Sequence, residues 1–145
     1  MDDKPTPTRI LVLCTHNSSR SQMTEGMLRQ LGGERLEVHS AGTEVTRVHP
    51  LAIEAMARAG FSLEGHRSKH LSEFLDQKLD YVITVCGRAG ESCPIFPGGP
   101  KRLHWGVADP SAVVGTEEEK LAAFEKARRE LLGHIETFLA GNLVS

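Results

Sequence analysis

The chain has 145 residues, 39% of them hydrophobic and 25% charged, which suits one soluble domain large enough to bury a core. A formal net charge of -2 supplies no basic field, so sequence-independent nucleic-acid binding is excluded. The polar start Met1-Asp2-Asp3-Lys4-Pro5 is unlike a signal peptide, and no apolar run approaches the ~18 residues of a membrane span, so no membrane association and a cytoplasmic protein are expected. Residues 1–8 read as a flexible N-terminal segment ahead of one domain over 9–145. Arg9 to Cys14 reads as a buried strand. Ser21 to Leu31 has Met23, Met27, Leu28 and Leu31 at helical spacing and closes on Gly32-Gly33. Leu36 to Ser40 is a second short strand, Pro50 to Ala59 a helix stopped by Gly60, and Ser72 to Asp76 a shorter helix. Asp80 to Cys86 is a β-branched strand, and Gly87 to Pro100 is loop. Lys101 to Val107 forms a fourth strand. Thr116 to Leu139 is a long helix opened by a capping box of Thr116 and Glu119. This alternation predicts an α/β fold with a four-stranded parallel twisted sheet and helices on both faces. In such sheets the ligand sits beyond the strand C-termini, where Cys14, Cys86 and Asp109 all fall.

The richest stretch is Ile10-Leu11-Val12-Leu13-Cys14-Thr15-His16-Asn17-Ser18-Ser19-Arg20-Ser21. An apolar strand delivers a thiol to a small polar loop just ahead of a helix. Loop N–H groups and the helix dipole together favour an anion. The same field favours a thiolate, so Cys14 is expected to be a deprotonated nucleophile near neutral pH. Arg20 can grip a tetrahedral oxyanion with paired hydrogen bonds, and a cation at a helix N-terminus itself calls for an anion there. Thr15, His16, Asn17, Ser18, Ser19, Arg20 and Ser21 are therefore the candidate substrate-binding residues. The bland alternative, an ordinary buried thiol at a strand end, does not account for seven such residues after it.

Three cysteines, Cys14, Cys86 and Cys93, are an odd number without a Cys-x-x-Cys pair, so redox or catalytic thiols are expected rather than a disulfide framework. The seven histidines lack zinc spacing, and no metal is expected. If residues 86–93 were helical, Cys86 and Cys93 would lie about 10.5 Å apart, beyond the roughly 4.4–6.8 Å a disulfide spans. That segment must loop or unwind before the two thiols bond, which Gly87 and Gly90 make inexpensive. Asp109, stiffened by Pro110, can protonate a departing oxygen above the pocket, although Asp-Pro is also a common turn. His16 reads equally as a thiolate-tuning group or a solvent-facing filler, His104-Trp105 as packing, and Glu117-Glu118-Glu119 as a solvated first helical turn.

On Cys14 to Ser21, on Val85-Cys86 through Cys93-Pro94 and on Trp105-Gly106-Val107-Ala108-Asp109-Pro110, the chain resembles the thioredoxin-coupled arsenate reductases of the low-molecular-weight tyrosine-phosphatase fold. The resemblance runs from about Arg9 into the final helix. It implies that Cys14 attacks arsenate held by the loop and Arg20, while Asp109 protonates the leaving hydroxide. Cys86 then attacks the Cys14 sulfur, and Cys93 moves the disulfide to Cys86–Cys93. External reduced thioredoxin resets the enzyme, with no bound cofactor. Phosphate and sulfate would compete with arsenate, and a monomer is expected. Ser21 resembles the hydroxyl that bonds the thiolate, and Asn17 the residue that braces the left-handed turn. Some members bind potassium beside the loop; Asn17, Glu25 and Ser40 resemble three of its ligands, but Lys69 stands where an Asp would be, which implies an ammonium in the cation site.

Three other readings compete. A phosphatase would use Cys14, Arg20 and Asp109 to hydrolyse phosphate monoesters through a Cys14 phosphocysteine, without redox. A non-enzymatic thiol module would bind zinc or trivalent arsenic, leaving Arg20 and Asp109 without purpose. A reductase coupled to glutaredoxin or a small thiol would make Cys93 dispensable.

Overall fold

The computed structural model of the chain describes residues 6–86 and 95–142. Four strands form one parallel sheet: Thr8–Leu13 (β1), Leu36–Ala41 (β2), Tyr81–Thr84 (β3) and Lys101–His104 (β4), in the order β2-β1-β3-β4. β1 pairs in register with both neighbours, Leu13 lying opposite Ala41 on one side and Thr84 on the other. The chain leaves β1 toward β2 and later returns to its other flank, so the C-terminus of β1 is the point where the strand order reverses. A crevice opens at such a point in any parallel α/β sheet. Cys14 is the first residue past it.

Alternate β1 side chains go to opposite faces. Ile10 and Val12 join Val38 and Ile83 in a core built with Arg20–Gly32 (α1), Pro50–Arg58 (α2) and Glu117–Asn142 (α3), where Met23, Met56, Phe124 and Leu131 are buried. Leu11 and Leu13 face the other way, against Phe74, Leu79, Val82 and Phe96. Among the described residues, that face is covered by the 3-10 turn Leu71–Phe74 and by loops. No helix among the described residues is long and apolar enough to cross a membrane.

Most expected elements stand where the pattern placed them, with shifted ends. β1 takes in Thr8, paired with Leu36, one residue before the expected start at Arg9. The short helix expected over 72–76 is the 3-10 turn Leu71–Phe74, whose Ser72 N–H donates to His70 Nδ1 at 3.0 Å. β3 is shorter than expected because Asp80 does not continue the strand: its carboxylate accepts the Arg9 N–H at 2.8 Å. β4 ends at His104, and Trp105 N makes the last ladder bond, to Thr84 O. Beyond it the chain swings toward α1 instead of running on to Val107. The capping box forms as read: Glu119 N donates to Thr116 Oγ1 at 3.1 Å and Thr116 N to Glu119 Oε1 at 3.0 Å. Those bonds favour the charged carboxylate and hold Glu119 below its ordinary range. Cys93 lies outside the described residues.

Candidate active site

Cys14 is buried at the end of β1, its N–H bonded to Ala41 O at 3.2 Å. The loop that follows is held from outside, carbonyl by carbonyl. Thr15 O accepts from Thr43 N and Glu44 N, at 2.9 and 3.0 Å. His16 O accepts from Ser68 Oγ at 2.9 Å and Thr46 Oγ1 at 3.3 Å. Asn17 O accepts from Gln22 Nε2 at 3.1 Å, Ser18 O from His49 N at 3.0 Å and Ser19 O from Met23 N at 2.9 Å. A trans peptide points its N–H opposite to its C=O, and none of these bonds is cis. Turning five successive carbonyls outward therefore turns the N–H groups of His16, Asn17, Ser18, Ser19 and Arg20 into the concavity. Ser19 makes no side-chain cap on α1, and the first turn of that helix holds no acidic residue. The loop is a nest for an anion supplied from outside.

Asn17 is the residue on which the curvature turns. Its φ of 52° is the only positive value among the described non-glycine residues, and Asn tolerates that region better than most. Its side chain locks the turn: Nδ2 donates to Ser21 Oγ at 2.8 Å and Ser40 Oγ at 2.9 Å, while Oδ1 accepts from Lys69 N at 2.8 Å. Ser40 Oγ in turn donates to Glu25 Oε1 at 2.5 Å. Glu25, buried in α1, faces Arg29 at 2.9 Å and the Lys69 ammonium at 3.8 Å. Lys69 Nζ also donates to Arg67 O at 3.0 Å. Burial pushes Lys69 below the ordinary lysine range, and Glu25 pulls it back. Gln22 is wholly buried and spans from Asn17 to His66, whose Nδ1 lies 2.9 Å from Gln22 Oε1. Burial lowers the His66 pKa. The neutral ring donates Nδ1–H, since Gln22 Oε1 can only accept.

Arg20 is 2% exposed, and its Nη1 donates to Val107 O at 2.8 Å. That bond ties the end of the β4 segment to the loop and sets Asp109 Oδ2 3.8 Å from Arg20 Nη2. Cys86 is buried two residues past β3, the strand beside β1, with Val85 N donating to Leu13 O at 3.0 Å. Neighbouring strands run about 4.8 Å apart, so the free thiol of Cys14 and the disulfide-bonded sulfur of Cys86 end adjacent rails of the sheet. The structure thus gathers Cys14 through Ser21, Asp109 and Cys86 at one sheet edge. His16 stands on the solvent side of the loop, 3.7 Å from Glu44. Trp105 is buried, and its ring stacks on His134.

Sequence reasoning missed the loop's outer supports, Gln22, Ser68, His49 and Gly42. A β-carbon on Gly42 would stand 2.4 Å from Thr15 O and 2.6 Å from Cys14 O. Only Gln22, a polar residue at a helical core position, carried a readable sign.

Residues 9–141 match the family model for low molecular weight phosphotyrosine protein phosphatase. A relative named arsenate reductase in Halalkalibacterium halodurans is 43% identical over 129 residues, 89% of this chain and 93% of that protein. A solved arsenate reductase in the oxidized state superposes with a TM-score of 0.76 at 30% identity, over 92% of this chain and 97% of that one. A thioredoxin-dependent arsenate reductase of Corynebacterium glutamicum superposes with a TM-score of 0.60 at 29% identity, over 94% of this chain and 65% of that one.

The close approach at Gly42 yields a test. Gly42→Ala must displace the Cys14–Thr15 backbone, and calorimetry should find phosphate binding weakened by roughly tenfold or more. Unchanged affinity in a folded variant would contradict the geometry.

Proposed function

We propose that this chain, which belongs to the low molecular weight phosphotyrosine protein phosphatase family, reduces arsenate to arsenite with electrons from thioredoxin. The observation that carries the reading is the buried Cys14 beneath inward-facing loop N–H groups, with Cys86 at the end of the next strand. A hydrolase needs the first feature and has no use for the second. The similarity to arsenate reductases over most of the chain supports the substrate, and the thioredoxin-dependent neighbour supports the reductant.

In this reading the loop N–H groups and Arg20 hold the tetrahedral anion over Cys14. Ser21 Oγ, which accepts from Asn17, has its own proton to give to the thiolate. The Cys14 sulfur attacks arsenic, and the arsenic–oxygen bond breaks as Asp109 protonates the leaving oxygen. The Cys86 thiolate then attacks the Cys14 sulfur. The sulfur–arsenic electron pair stays on arsenic, which falls from the +5 to the +3 state and leaves as arsenite. The resulting Cys14–Cys86 disulfide passes to Cys86–Cys93 when Cys93 attacks Cys86, and the dithiol of thioredoxin reduces it by exchange. Phosphate and sulfate share the charge and shape of arsenate and compete for the nest. The protein works as a cytoplasmic monomer.

No potassium ion is needed beside the loop. The oxygen donors that would hold one are already engaged: Glu25 by Arg29, Lys69 and Ser40, and Asn17 Oδ1 by Lys69 N. The residues present do not fit that ion, because Lys69 brings its own positive charge there.

NADPH consumption should require arsenate, thioredoxin and thioredoxin reductase together. Cys14→Ser abolishes it, and Cys93→Ser permits one turnover of arsenate before stalling; sustained turnover in Cys93→Ser would overturn the relay. Arsenate reduction should vanish in Cys86→Ser, whereas a phosphatase would retain its para-nitrophenyl phosphate hydrolysis in that variant; arsenate reduction left intact there would overturn the role of Cys86. Replacing sodium by potassium should leave the rate unchanged, and a several-fold gain would contradict the role given to Lys69.

A further inference from the structure

We propose that Ser111 is a positioning residue for the protonation step: it holds one oxygen of Asp109 so that only the other can carry the proton. The inference rests on the reading of Asp109 as the acid, and it adds a residue that neither the motif nor that reading includes.

Asp109 opens the 3-10 turn Pro110–Ala112 in an extended conformation, φ -69° and ψ 111°. Two donors of Ser111 converge on the same carboxyl oxygen. Ser111 N lies 2.9 Å from Asp109 Oδ1, and Ser111 Oγ lies 2.7 Å from it. The other oxygen, Oδ2, is the one that faces Arg20 Nη2, at 3.8 Å. A proton on Oδ1 would confront the Ser111 N–H, so the acid form keeps its proton on Oδ2. That is the oxygen turned toward an anion bound by Arg20. The rotation of a carboxyl group about its last bond is soft, and one backbone donor restrains it weakly. The second donor, fixed on the same short turn, sets the plane. Pro110 adds to this by locking its own φ between the two residues.

The turn is too short to need a strong cap for its own sake, since it spans only Pro110–Ala112. Ser111 and Asp109 are partly open to water, so water replaces part of the lost bond in a variant but does not restore the carboxyl's orientation. The effect expected is therefore moderate and falls on the chemical step. Arg20 and the loop bind the anion, whereas the two Ser111 donors are directed to Asp109.

The test is single-turnover arsenite formation by the pre-reduced enzyme, at varied arsenate, in Ser111→Ala, Ser111→Thr, Asp109→Asn and the double variant S111A/D109N. Ser111→Ala should lower the maximal rate about fivefold while half-saturating arsenate and inhibition by phosphate stay unchanged. Ser111→Thr, which keeps the hydroxyl, should restore the rate. In the Asp109→Asn background Ser111→Ala should cost nothing further, because coupled residues are non-additive. A slow Asp109→Asn enzyme with Ser111→Ala as fast as the parent overturns the inference alone. An equal loss from Ser111→Ala in both backgrounds also overturns it, since Ser111 would then act elsewhere. Asp109→Asn as fast as the parent removes the acid itself and the inference with it, while arsenate reduction by the three thiols stands.

Discussion

The orientation of five peptide planes governs this molecule. From Thr15 to Ser19 every carbonyl is bonded outward, to backbone or side-chain donors contributed by the β2–α2 connection, α1 and the segment near Ser68. The N–H groups are left to converge where β1 delivers a sulfur. Separately, none of these bonds is strong, each adding on the order of 1 kcal/mol. Jointly they make the alternative, a carbonyl turned into the nest, cost two losses at once: an unpaired donor outside and a repelled anion within.

Behind the loop stands a polar network that an apolar core would not tolerate unless satisfied. Asn17 is linked through Ser40 to Glu25 on one side and through Gln22 to His66 on the other, and the buried carboxylate of Glu25 is met by Arg29 and Lys69. A buried charge without partners is far more costly than the same charge paired. The network is thus the condition for placing a left-handed Asn in the loop that follows the buried end of β1. It also gives Lys69 two tasks: its backbone N–H fixes Asn17, and its ammonium neutralises Glu25.

The catalytic elements were legible because their signals are local. A β-branched or aliphatic run, a thiol, a polar loop and a helical period adjoin one another between Ile10 and Leu31. Asp109 was legible because Pro110 punctuates it. The strand order and the pairing of β1 with both β2 and β3 were beyond reach of any local pattern, and so were the supports they bring together. Ser68 is separated from His16 by 52 positions, and Lys69 from Asn17 by the same number. The strand ends were overextended for a related reason. Val85, Cys86, Trp105 and Val107 are apolar like strand residues, yet past Thr84 and His104 the chain serves the site: Val107 O is spent on Arg20 rather than on a ladder. The expected helix over 72–76 tightened to a 3-10 turn because His70 caps it and four residues leave no room for a second turn.

A nest that binds an oxyanion also stabilises the sulfur that must attack it, and the same geometry joins recognition to reactivity. Thiolate absorbance in the ultraviolet, taken as the difference between the parent and Cys14→Ser and titrated without competing anions, reads that link directly. The account predicts that the Cys14 signal is half developed below about pH 7, under the influence of the loop N–H groups and α1. A signal that develops only near pH 8.5, as for a thiol in water, would contradict it.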